Sequence, residues 1–172
     1  MQKRGQVWVE TVTYTLITFI MIGLVLSFVK PKIEEYQDRT LIEQSTKILK
    51  EIDQTIREVG ESAIGNKRKV EVLLKEGDIE INPTNNSISF IMDSKYTYSE
   101  PNILIHEGNL NILTTPKGKL KEVKLSLNYT NVYTLRQDNT TNTKKITKSS
   151  NPYNLYISNK GGENREINVE ID

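Results

Sequence analysis

From Val7 to Val29 the chain is apolar or hydroxylated at every position except Glu10. As a helix, this run spans roughly 34 Å, enough to cross the apolar core of a bilayer. The β-branched residues Val7, Val9, Thr11, Val12, Thr13, Thr15, Ile17 and Thr18 disfavour helix in water. In lipid, or among other helices, the backbone has no water to bond, and helix becomes obligatory.

Beyond Pro31 the pattern becomes amphipathic. Ile33, Tyr36, Leu41, Ile48, Ile52, Ile56 and Val59 recur mainly three or four apart, with Leu49 beside them and polar residues opposite. Proline disfavours helix at the residue before it and lacks an N–H, so Pro31 predicts a kink or brief break. Gly60 suits a helix C-cap. The pattern predicts one long helix over residues 6–60, apolar over 6–29 and amphipathic over 31–60.

From about residue 66 the period becomes two. Val70, Val72 and Leu74 alternate with polar neighbours, as do Ile79 and Ile81, then Ile88, Phe90 and Met92. Tyr96 and Tyr98, Ile103 and Ile105, and Leu110 and Ile112 continue the pattern. Val123, Leu125, Leu127 and Tyr129 follow, then Leu155 and Ile157, and finally Ile167, Val169 and Ile171. Short half-buried strands between Gly, Pro and Asn turns predict an antiparallel β-sheet or small β-sandwich. One sheet face would pack on the amphipathic helix, so the predicted fold class is α+β with a β-rich head over 66–172. "DNTTNTKKITKSSNPY", residues 138–153, reads as a long mobile loop.

Composition narrows the classes. Formal net charge is +1, which gives no sign of a nucleic-acid partner. The absence of cysteine excludes disulfides, thiolate metal sites and cysteine nucleophiles. Lys3 and Arg4 flank one end of the apolar run and Lys30 and Lys32 the other, so charge sets its orientation poorly.

The opening residues "KRGQVWVE" resemble the class III signal of archaeal type IV pilin-like proteins. In that family a short basic leader ends in Gly or Ala, a membrane peptidase cuts before the apolar helix, and a glutamate stands fifth in the mature chain. Here the basic pair is Lys3–Arg4, the junction Gly5–Gln6 and the fifth mature residue Glu10. The leader would be residues 1–5, shorter than is usual. The resemblance implies that cutting removes Lys3 and Arg4, taking formal side-chain charge from +1 to −1, and creates an amine on Gln6. That amine would pair with Glu10 of a neighbouring copy. Read by itself, Glu10 is equally an interfacial acid at a helix N-terminus.

No phosphate loop, zinc spacing or nucleophile elbow is present. His106 is the only histidine, and at a strand end it reads as structural. Asp78, Glu80 and Asn82 share one strand face and read as a solvated edge, without the loop spacing of a calcium site. The tyrosines read as core packing. No cofactor, metal or catalytic residue is predicted. Three N-glycosylation sequons start at Asn85, Asn128 and Asn139; Asn139 is the favoured acceptor and Asn128, on a strand, the least accessible.

The expected function is a structural subunit of an archaeal type IV pilus-like surface filament. Copies of the chain would pack by their apolar helices after leader removal. Expected partners are the chain itself, the prepilin peptidase and assembly machinery, and the membrane before assembly. The rivals are a minor pilin-like component, a binding module on a permanent single-pass anchor, and an anchored enzyme.

Overall fold

In the computed structural model the backbone is described for residues 3–162 and 165–172, with side chains from Val7 onward. The architecture is α+β: one long N-terminal helix followed by two largely antiparallel sheets. Helix α1 runs Lys3–Gly60 without interruption. Of the kink or brief break expected at Pro31, the break is absent. Proline removes only its own N–H, and helix on both sides carries the chain through that position. The chain divides into two compact units, Met1–Gln37 and Asp38–Asp172.

The first unit is helix. Its apolar side chains are uncovered: Trp8 is 71% exposed and Phe28 75%. Thr11, Thr13, Thr15 and Thr18 each donate their hydroxyl to the carbonyl four residues earlier, at 2.8–2.9 Å. Ser27 donates to the Leu24 carbonyl. These polar groups are therefore satisfied within the helix, as an apolar environment demands.

The second unit joins the rest of α1 to ten strands. Six form one antiparallel sheet: β2 (Asp78–Asn82), β3 (Ser87–Ser94), β4 (Ile105–Glu107), β5 (Leu110–Lys117), β6 (Leu120–Asn128) and β8 (Lys144–Thr147), in the order β4-β5-β6-β3-β2-β8. Register aligns Ile146, Ile79, Phe90, Leu125, Ile112 and Ile105 in one row across all six. All but the edge residue Ile105 are buried. The intervening residues Lys145, Glu80, Ser89, Ser126, Asn111 and His106 form the opposite, polar row.

The other sheet is β1 (Lys67–Val72), β9 (Tyr153–Gly161), β10 (Glu166–Ile171) and β7 (Thr134–Gln137), in the order β1-β9-β10-β7. Its β10–β7 pair is parallel, a departure from the antiparallel expectation. Between those two strands the chain passes through β8 and β9 and returns in the same direction, as a parallel pair requires.

The helix stripe that enters this core is Ile42, Leu49, Ile52, Ile56 and Val59, each fully buried. With Ser45 it forms a regular alternation of three and four residues. Ile33 and Tyr36, expected on that stripe, are exposed, and Ile42 takes the place given to Leu41, which is only partly buried.

Three further expectations are corrected. Tyr96 and Tyr98 lie outside any strand and pack edge to face, with ring centres 6.5 Å apart. The supposed loop 138–153 contains β8, because Ile146 is buried beside Ile79. Gly60 is not a left-handed cap: it is the last helical residue, and its φ is not positive. A Cβ there would lie 2.4 Å from the Tyr133 ring, so the position needs glycine for space.

Candidate functional site: an uncovered apolar helix and the helix–sheet junction of the head

Two features stand out from the packed core. The first is the Val7–Val29 face of α1. The helix holds a window of mean hydropathy 2.2 of which no part is buried, so by length and composition it is able to cross a membrane. Glu10 is exposed one turn inside the described end. Met1 and Gln2 lie outside the described residues, as do the side chains of Lys3, Arg4 and Gln6. The predicted Gly5–Gln6 junction and its basic pair are therefore left as sequence expectations.

The second feature is how α1 is fixed to the sheets inside the unit Asp38–Asp172. Asp38 Oδ2 accepts the Lys95 N–H at 2.6 Å and the Ser94 hydroxyl at 3.3 Å, tying the end of β3 to the helix. Asp53 gathers three donors. Arg57 Nε donates to its Oδ2 at 3.0 Å. Tyr129 Oη, at 3.0 Å, and Asn109 Nδ2, at 2.8 Å, donate to its Oδ1. Burial, and then the Asp53 carboxylate, hold the Tyr129 phenol far above its ordinary pKa, so it remains a donor. Lys50 reaches Glu107 at 2.6 Å. At the helix end Asn159 Nδ2 donates to the carbonyls of Val59, at 3.2 Å, and Ser62, at 2.9 Å. It thereby satisfies groups that a helix C-terminus leaves open. Nothing in the residue pattern singles out Asp53 or Asn159, because, Arg57 apart, their partners lie 56–100 residues away in the chain.

The sequons fall on exposed backbone. Asn85 sits in the β2–β3 turn, its N–H donating to Asn82 Oδ1. Asn128, the last residue of β6, is exposed rather than shielded, with its Oδ1 accepting the Thr130 N–H at 2.8 Å. Both line one shallow polar groove of about 210 Å³ on the outer face of the six-stranded sheet. Asn139 is exposed after β7, its N–H donating to Asn168 Oδ1.

Asp78, Glu80 and Asn82 do share a strand face, but Asp78 is paired with Lys145 at 2.9 Å and Asn82 donates to Glu80. His106 is exposed on β4 with Nδ1 against Asn111 Oδ1. Among the described residues no group of three or more His, Cys, Asp or Glu is placed to hold a metal.

Comparison with protein-family models, curated proteins and solved structures gives no match. A long apolar N-terminal helix followed by β-sheets is compatible with a pilin-like fold.

Proposed function

We propose that the chain is a structural subunit of an archaeal type IV pilus-like surface filament, made as a membrane-anchored precursor. The observation that carries the reading is the uncovered apolar helix. All of its hydrophobic window lies outside the molecule's own core, while residues 42–59 of the same helix are used inside the head. Packing among copies would replace lipid contacts with van der Waals contacts of equal apolarity. Head-to-tail contacts that do not close would yield a helical polymer. The spacing of Lys3–Arg4, Gly5–Gln6 and Glu10 adds the assembly step. Cutting at Gly5 creates a cationic amine where a neighbour's Glu10 is able to meet it.

N-terminal sequencing of the mature protein tests this. A start at Gln6, in protein recovered from surface filaments, is the expected result. Retention of Met1 in a monomeric membrane fraction favours a binding module on a permanent anchor. Recovery at only trace stoichiometry within filaments made of another subunit would assign the chain a minor, tip or priming role.

A further inference from the structure

A cavity of about 540 Å³ opens on the head between the β2–β3 turn, the segment after β6 and the residue before β10. It is lined by Asn86, Thr130, Asn131, Val132, Tyr133, Thr134 and Arg165. We propose that it binds a carboxylate-bearing saccharide, such as a uronic-acid oligomer. This assignment is independent of whether the chain polymerises.

The lining has a consistent chemistry. Arg165 contributes five N–H donors and no acceptor, and it forms no ion pair among the described residues. No carboxylate is among the described lining residues. Thr130, Thr134 and the two asparagines add hydroxyl and amide groups. Asn86 is held from behind: its carbonyl accepts the Tyr129 N–H at 2.8 Å and its Oδ1 the Leu135 N–H at 2.9 Å. That leaves its amide NH₂ as the remaining polar group. Val132, an exposed lining residue, supplies an apolar wall, while Tyr133 beside it is nearly buried, its ring packed against Gly60. Donors beside an apolar wall suit a sugar, which presents hydroxyls at its rim and C–H groups on its faces. A guanidinium suits a carboxylate, which it engages through two parallel N–H···O bonds.

The backbone points the same way. Six non-glycine residues among those described have positive φ, and three of them line this cavity: Asn86 at 45°, Asn131 at 66° and Arg165 at 47°. Asparagine tolerates that region, but arginine lacks the short polar side chain that eases it, and left-handed backbone costs about 1–2 kcal/mol. Such conformations concentrate where surrounding structure fixes a binding surface. The volume lies within the range of about 300–1,000 Å³ usual for small-ligand pockets and is far larger than a bare anion requires.

The full chain in detergent micelles, titrated calorimetrically with an oligoglucuronate, tests the assignment. One saturable site per chain is expected, with about tenfold weaker binding of the carboxyl-reduced neutral oligomer, a difference of about 1.4 kcal/mol. Arg165→Gln should weaken binding by a similar factor without moving the melting temperature, and Arg165→Lys by less. Should Arg165→Gln fail to fold, Asn131→Asp serves as the second variant. It keeps a residue at ease with positive φ, places a repelling charge at the rim and should also weaken binding. Absence of saturable binding, equal affinity for the neutral oligomer, or unchanged affinity in a folded variant overturns the proposal. Displacement of the oligomer by an equal concentration of inorganic sulfate also overturns it, by reducing the cavity to a bare anion site.

Discussion

Asp53 is the residue on which the helix–sheet junction turns, because one carboxylate serves a helix partner, a turn and a buried phenol. Tyr129→Phe removes one donor without opening a cavity, and should cost about 1–3 kcal/mol by leaving part of that carboxylate's buried face unpaired. Chemical denaturation of the full chain in detergent would measure it. Thr46 predicts the opposite sign. Its hydroxyl is buried without a hydrogen-bond partner among the described residues. Thr46→Val keeps the shape and removes the desolvated oxygen, so stability should rise by about 1 kcal/mol. Gly60→Ala forces a Cβ toward the Tyr133 ring and should cost about 1–3 kcal/mol as overpacking. The cost should be smaller in a Tyr133→Leu background, where the ring is gone. None of these effects is legible in the sequence, since each depends on a partner brought near by the fold.

At the scale of elements the sequence was read best where period alone decides. The period-two runs containing Val70, Ile79, Phe90, Leu125, Ile157 and Val169 all became strands. The expected helix stripe matches the observed one from Ile52 onward, while at the preceding turn Leu49 is buried and Ile48 only partly so. The stripe was misplaced nearer Pro31, because apolar residues uncovered by this chain's own sheets carry the same period as those that pack on them. The misses have another cause. β7 and β8 are four residues each, too short to show a period, and β8 has a single buried apolar side chain, Ile146, among polar residues. Pairing with β2 supplies what its composition lacks. That makes β8 sensitive to one substitution. Ile146→Ala should cost about 2–5 kcal/mol, in line with emptying a buried aliphatic site. Limited proteolysis should then cut first between residues 138 and 152. Cleavage elsewhere in the head at the same rate would mean that β8 is not held separately.

At the scale of the whole molecule, the two compact units make different demands on their surroundings. The unit Asp38–Asp172 contains its own core, including five fully buried helix residues. A fragment starting at Asp38 should therefore fold as a soluble monomer, and one starting at Glu61 should not. The apolar helix has no such core; under the proposed function, lipid would cover it before assembly and copies of itself afterwards. Glu10 discriminates between these. An acid near the membrane edge is tolerated because it reaches the interface, where insertion costs less than the roughly 2.5–3.5 kcal/mol found at a helix centre. In a packed filament the same carboxylate would be desolvated, and breaking a buried ion pair by removing one partner costs about 3–5 kcal/mol. Glu10→Ala should thus leave membrane insertion intact, as fractionation would show, while abolishing or misregistering filaments in electron micrographs. Glu10→Gln should fail similarly, because it keeps size and hydrogen bonding but lacks the charge a cationic amine requires. Native-yield filaments from both variants would remove the pairing role and leave Glu10 as an interfacial residue at a helix end.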